Sequence, residues 1–193
     1  MISLSCTFEG YKALKMKYVV SVVGLLLIQV SLLAQKPISN PNAIVDTFKK
    51  SIPCVTICKV GKTEMSIHYH SPAVKNRVIW GGLVPYNEVW VTGAHSATRL
   101  DSDKAFTING VKIPAGKYAL FTIPGKDEWT VIINKNYEQH LTDDYNSTDD
   151  IVRVKIKPIA LETQLERLQY FIENNKIIIA WEKIKVELPF SIN

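Results

Sequence analysis

The chain has 193 residues, of which 47% are hydrophobic and 21% are charged, and its formal net charge is +5. A chain of this length and apolar content can bury one ordinary core, which excludes intrinsic disorder, a collagen-like repeat and a coiled coil. Its basic residues are scattered and nearly balanced by acidic ones, so no basic patch predicts a nucleic-acid partner.

The amino-terminal segment has the pattern of a secretory signal. Lys15 and Lys17 precede an uncharged, mostly apolar run that ends at the small residue Ala34. These are the parts of a cleavable signal peptide, so we expect residues 1–34 to be removed, with Met16 as an alternative start. The protein is then periplasmic or secreted and keeps no stable membrane span. The alternative is an uncleaved amino-terminal membrane anchor, for which the run is short.

A linker and the first predicted strand follow the signal segment. Residues 35–50 contain two prolines and several polar residues, which predicts a linker, and a single domain is expected over residues 51–193. Cys54 and Cys58 lie on a β-branched stretch, where residues four apart are separated by about 13 Å. That distance is beyond the reach of a disulfide, so free thiols are expected, with a bridge between two chains as the alternative.

The rest of the chain alternates between apolar and polar residues in short stretches separated by turn residues. Residues 63–70 and 151–157 alternate most clearly, and residues 88–92 predict a short strand. Residues 175–183 and 185–190 predict two further strands at the end of the chain. Asn109-Gly110 is the favoured pair of a two-residue type I′ turn and predicts a hairpin. Only residues 161–169 have a pattern compatible with a short helix. About nine short strands predict an all-β domain, an antiparallel β-sandwich of jelly-roll or barrel-like form.

His68 and His70 form an H-x-H pair, a spacing that holds a metal in several β-folds. Alternate residues of their strand are apolar, so both imidazoles share the opposite, outward face. A catalytic zinc site needs three protein ligands, and His95 or Glu64 is a candidate for the third. We prefer a solvated strand face without a cofactor, and keep a metal site of His68, His70 and His95 as the alternative.

The segment from residue 69 to residue 98 is the candidate site. It is long for a connection inside a compact sandwich, and such loops tend to be functional. Aromatic rings with a few polar groups are what a concave small-molecule site requires. The structural alternative is that the tryptophans cap the open end of the sandwich and that the arginine ties the loop to carbonyl groups. The candidate ligand-binding residues are Tyr69, Arg77, Trp80, Tyr86, Glu88, Trp90, Thr92 and His95.

Four blocks of sequence carry a family resemblance: YHSPAVKNRVIWGGLVPYNEVWVTGAHSAT, INGVKIPAGKYALFTIPGKDEWTVIINK, DIVRVKIKP and WEKIKVELPF. In this order, over roughly residues 52–193, they resemble the bacterial domain-of-unknown-function family 2911. The resemblance implies a secreted or periplasmic protein with no established activity. The family usually has Ser-Arg where His70-Ser71 stand, Arg at Val91, and Asn-Glu or similar at His95-Ser96. It therefore implies that the histidines are local variants and not family hallmarks.

The sequence contains no G-x-S-x-G elbow, P-loop or dinucleotide-binding fingerprint, so no catalytic residue can be named. We expect an exported, non-catalytic module that binds a small molecule or glycan, or that interacts with a partner. The alternative is a small exported hydrolase or metal-dependent enzyme that uses His68, His70 or His95.

Overall fold

The computed structural model describes residues 38–39 and 51–192 of the chain. The predicted signal segment and the rest of the predicted linker lie outside the described residues. Strands dominate the described part, and a 3₁₀ turn, Ser147–Asp149, precedes the ninth strand. The strands are β1 Ile38–Ser39, β2 Ser51–Val60, β3 Thr63–Pro72, β4 Thr98–Ser102, β5 Phe106–Ile108, β6 Val111–Ile113, β7 Gly116–Ile123, β8 Trp129–Asn134, β9 Asp150–Ile156, β10 Ile159–Glu173, β11 Lys176–Pro189 and β12 Ser191–Ile192.

The strands form antiparallel sheets that do not close into a barrel. The large sheet has the order β1-β2-β3-β4-β7-β8-β9, the two long strands β10 and β11 form a hairpin, and β12-β5-β6 form a small sheet. The predicted all-β antiparallel sandwich is therefore confirmed, but its barrel-like form is not. Among the described residues, no helix is long and apolar enough to cross a membrane.

The main core lies between the large sheet and the β10–β11 hairpin. On β3, Met65 and Ile67 are fully buried whereas His68 is half-buried, as the pleat of a strand requires. The ring of Tyr69 packs 4.7 Å from that of Tyr170 on β10. Each large apolar side chain buried here stabilises the fold by roughly 1.5–3 kcal/mol.

Two buried side chains of the large sheet also bond the hairpin directly. The Thr56 hydroxyl donates to the carbonyl oxygen of Tyr170 at 2.9 Å, and the Ser71 hydroxyl donates to that of Leu168 at 2.7 Å. Both bonds satisfy carbonyl groups on β10 that would otherwise be buried without a donor. They fix where β10 lies across β2 and β3.

The hairpin predicted at Asn109-Gly110 is confirmed. The two residues have φ angles of 49° and 77°, the left-handed values that a type I′ turn needs at both central positions. Ile108 pairs with Val111 across the turn. Cys54 and Cys58 are buried free thiols on one face of β2, and burial raises the pKa of the Cys54 thiol.

Three strand assignments differ from the sequence-based expectation. Residues 161–169 are part of β10 and not a helix; β10 shifts register twice against β11, and these irregularities disrupt the alternation that marks a strand. Residues 88–92 form no strand, since only Trp90 pairs, in an isolated bridge to Thr122. Residues 175–190, predicted as two strands, are mostly the single strand β11, in which Glu182 has a left-handed φ of 54° and the register against β10 shifts.

Candidate functional site

The long segment between β3 and β4 forms one wall of a cleft of about 410 Å³ at the end of the sandwich. We call it the tryptophan cleft. Its opposite wall comes from β11 and from the loop that follows β8, and most of its lining is apolar. The lining residues are Ser51, Pro72, Arg77, Leu83, Val84, Trp90, Val91, Gly93, Ala94, His95, Leu141 and Trp181.

All four tryptophans of the chain pack into one cluster, of which two members, Trp90 and Trp181, line this cleft. The Trp80 ring lies edge-on to Trp129, Trp90 and Trp181, with centroids 4.8, 5.9 and 5.8 Å away. Trp90 and Trp181 are stacked, with centroids 5.8 Å apart and an angle of 22° between the rings. Because each aromatic pair contributes roughly 0.5–1.5 kcal/mol beyond area burial, the inner wall of the cleft is firmly held.

A tight turn over residues 78–84 brings apolar side chains to the rim of the cleft. The N–H of Leu83 donates to the carbonyl oxygen of Val78 at 3.0 Å, and that of Val84 donates to Ile79 at 2.9 Å. The turn buries Ile79 and Val84 in the core and leaves Leu83 exposed beside the opening. The cleft therefore has an apolar rim as well as an apolar inner wall.

Arg77 brings a positive charge to the tryptophan cleft. Its Nε donates to the carbonyl oxygen of Val74 at 3.2 Å and its Nη2 donates to that of Ala73 at 2.5 Å. These bonds fix the guanidinium against its own loop, as the structural alternative predicted. Within the described part of the chain no carboxylate forms an ion pair with Arg77.

His95 lies at the mouth of the same cleft. Its Nε2 is 2.8 Å from the hydroxyl oxygen of Ser51, the first residue of β2. The ring of His70 packs edge-on against it, with centroids 5.1 Å apart and an interplanar angle of 77°. The His95 backbone is left-handed, with a φ of 62°, and its side chain contacts one residue of β2 and one of β3.

Thr92 is fully buried and has a structural role. Its hydroxyl donates to that of Thr122 at 3.0 Å, and its carbonyl oxygen accepts from Tyr170 at 2.7 Å and from Thr98 at 3.0 Å. Its backbone is left-handed, with a φ of 52°, which is strained for a β-branched residue. Thr92 therefore shapes the loop below the cleft.

The structure brings together some of the predicted site residues and separates the others. Arg77, Trp90 and His95 line the tryptophan cleft, and Trp80 supports its wall from behind. Tyr69 lies in the core, the Tyr86 ring lies 6.0 Å from the Lys126 ammonium, and Glu88 is exposed. Sequence reasoning missed Ser51, Leu141 and Trp181, which reach the cleft from other parts of the chain.

A second cleft, of about 520 Å³, lies on the outward face of the large sheet, and we call it the histidine cleft. His68 Nε2 is 3.1 Å from the hydroxyl of Ser66 and 3.4 Å from the carboxylate of Asp101. Burial lowers the pKa of His68, and the neighbouring Arg99 lowers it further. The lining of this cleft includes His68, His70, Arg99, Glu138 and His140.

The histidines make contacts with different partners. Burial lowers the pKa of His70 and the adjacent His95 adds to that effect, while His140 forms its own contact with Asp143 at 3.0 Å. Among the described residues no group of three His, Cys, Asp or Glu side chains is placed to hold a metal ion. The metal site of His68, His70 and His95 therefore gains no support from the geometry.

Comparisons with known proteins give one match. The searches of curated proteins and of solved structures found no match. The family model described as "Protein of unknown function (DUF2911)" matches residues 52–190, which cover most of the chain, strands β3 to β11 and all of β2 except its first residue, Ser51. The chain therefore belongs to the DUF2911 family.

Proposed function

We propose that this domain is a ligand-binding module of an exported protein, and that the tryptophan cleft takes a small molecule with a flat apolar part and an anionic group. One observation carries the proposal: Arg77, which pairs with no carboxylate among the described residues, lies in a cleft whose inner wall is the stacked pair Trp90 and Trp181. A cleft of about 410 Å³ is within the size range of small-molecule sites.

The two parts of such a ligand would be held by different forces. Its apolar ring would be buried against the tryptophans, which is favourable by roughly 25 cal/mol for each Å² of apolar surface removed from water. Its anionic group would accept a charge-assisted hydrogen bond from Arg77, worth about 1.5–3 kcal/mol. Binding of this kind requires no catalytic group.

Calorimetric titration with phenylacetate and its neutral analogue phenylacetamide tests this role. We expect the carboxylate to bind more tightly than the amide. In Arg77→Met that preference should fall by about tenfold or more, because the charge-assisted bond is lost. Arg77→Lys, which keeps the charge, should retain part of it.

Arg99→Met is the matched control, because Arg99 already pairs with Asp101 at 2.7 Å and lies in the histidine cleft. It should leave the affinity for phenylacetate unchanged. Equal affinity of the wild type for the carboxylate and the amide, or no effect of Arg77→Met, would contradict the proposal.

Export is supported by the sequence of the amino-terminal segment. A basic pair, an apolar run and the small residue Ala34 are the features that a signal peptidase recognises. Amino-terminal sequencing of protein from the native host should find Gln35 as the first residue. Membrane-bound protein that begins at Met1 or Met16 would show instead that the segment is an uncleaved anchor.

A further inference from the structure

Ser51 and His95 form a hydrogen-bonded pair at the edge of the tryptophan cleft, although 44 residues separate them in sequence. Both backbones are fixed. Ser51 is paired with Pro72 at the end of the β2–β3 ladder, and the carbonyl oxygen of His95 accepts from the N–H of Leu141 at 2.6 Å. The 2.8 Å contact therefore joins two anchored segments.

The pair has the geometry of a serine nucleophile and its general base. A serine hydroxyl is a weak nucleophile unless a base within about 2.6–3.2 Å takes its proton as it attacks. With the ring proton on Nδ1, His95 Nε2 accepts a hydrogen bond from the Ser51 hydroxyl. The neighbouring His70 ring packs edge-on against the His95 imidazole, with centroids 5.1 Å apart, and burial lowers the pKa of His70.

The cleft also contains a positively charged side chain and two residues whose backbone N–H groups have no backbone acceptor among the described residues. Arg77 and the backbone of Gly93 and Ala94 line it together with the pair. The N–H groups of Gly93 and Ala94 donate to no backbone oxygen within the described residues. Gly93 packs so closely that a Cβ there would lie 2.9 Å from the Thr98 hydroxyl and 3.2 Å from the His70 carbonyl oxygen. Donors of this kind stabilise the oxyanion formed in acyl transfer.

We propose that Ser51 and His95 hydrolyse a small carboxylic ester whose apolar part lies against Trp90 and Trp181. Ser51 Oγ attacks the ester carbonyl carbon and forms a C–O bond while its proton passes to His95 Nε2. The bond to the alcohol breaks and the alcohol leaves with that proton. Water then loses a proton to His95 and attacks the acyl-serine, which releases the acid and restores Ser51. The inference rests on the proposed function insofar as the same cleft must bind the ester.

A second serine–histidine pair in the chain provides a matched control. Ser66 Oγ lies 3.1 Å from His68 Nε2, but the same nitrogen also lies 3.4 Å from the carboxylate of Asp101. Neither Ser66 nor His68 lines the tryptophan cleft. A nucleophile needs an adjacent site for the acyl group as well as a base. The proposal therefore assigns reactivity to Ser51 and none to Ser66.

The experiment combines ester hydrolysis with covalent labelling of the full chain. Wild-type protein should release p-nitrophenol from p-nitrophenyl butyrate, and a fluorophosphonate probe should label Ser51, as peptide mass spectrometry can locate. Ser51→Ala should abolish labelling. Both Ser51→Ala and His95→Gln should lower the hydrolysis rate by about 100-fold or more, which is the usual contribution of a base-activated nucleophile. Ser66→Ala should behave as wild type.

When ester hydrolysis and phenylacetate binding are both measured, the results distinguish the esterase inference from the proposed binding role. Phenylacetate binding without hydrolysis and without a Ser51 adduct would overturn the esterase inference and leave the binding role standing. Hydrolysis that depends on Ser51 without phenylacetate binding would support the inference and contradict the anion-binding role. Equal hydrolysis by wild type and Ser51→Ala, with both variants folded by circular dichroism, would overturn the inference.

Discussion

The phenol hydroxyl of Tyr170 donates a 2.7 Å hydrogen bond to the carbonyl oxygen of Thr92, across 78 residues of sequence. Both residues are fully buried, and Thr92 has a left-handed backbone with a φ of 52°. A β-branched residue in that conformation costs of order 1–3 kcal/mol and persists only where its surroundings hold it. The β10–β11 hairpin therefore stabilises the loop that carries Trp90 and His95.

Tyr170→Phe should lower the free energy of unfolding by about 1–2 kcal/mol, because a buried hydrogen bond is lost. The loss should stay at this level because the Thr92 carbonyl keeps its bond from Thr98. Urea denaturation measures it. Tyr137→Phe is the control, since Tyr137 is only partly buried and its hydroxyl makes no hydrogen bond within the described chain. Equal loss in both variants would show that the bond does not hold the loop.

Gly110→Val should lower the free energy of unfolding by about 1–3 kcal/mol through backbone strain. A Cβ at Gly110 would meet no atom within 4 Å, so crowding adds nothing, but its φ of 77° is unfavourable for a β-branched residue. Lys62→Ala, in the exposed β2–β3 turn, should cost far less. A melting temperature of Gly110→Val within a degree of wild type would contradict this account of the hairpin.

Purified protein should carry no stoichiometric zinc. His68 is engaged with Ser66 and Asp101, and the described residues contain no group of three His, Cys, Asp or Glu side chains placed to hold a metal ion. Metal analysis after dialysis measures this directly. One equivalent of zinc that survives dialysis, and that is lost in the double variant His68→Ala with His70→Ala, would overturn the prediction.

The domain should become less stable as the pH falls from 7.5 to 5. Burial lowers the pKa of His70 below 6.5, its ordinary value, which the unfolded chain retains. Between the folded and unfolded values the unfolded state binds more protons, so stability increases with pH in that window. The contribution of neutral His70 is complete above about pH 6.5 and is lost as the pH falls toward the folded pKa.

His70→Gln tests this origin, because it removes the titrating group from the same position. Unfolding free energies at several pH values should fall less steeply toward acid in His70→Gln than in wild type. Parallel curves for the two proteins would assign the pH dependence to other groups.

Local patterns in the sequence determined much of the fold. The alternation from Met65 to His70 placed the histidines outward, because successive side chains on a strand point to opposite faces. Asn109-Gly110 determined a hairpin, because few other pairs tolerate two left-handed residues. Alternation failed over residues 161–169, where the register shifts between β10 and β11 depend on pairing with another strand.

The candidate site depends on tertiary structure to a greater extent than the strands and turns do. The sequence indicated that the segment from residue 69 to residue 98 mattered, and it named Arg77, Trp90 and His95. It did not distinguish these three cleft residues from Thr92, which is buried and accepts a hydrogen bond from Tyr170. Nor did it indicate that Trp181 completes the wall or that Ser51 meets His95, because both contacts join segments distant in sequence. Periodicity reports the face on which a side chain lies, and only the packing of the hairpin on the large sheet determines what it meets there.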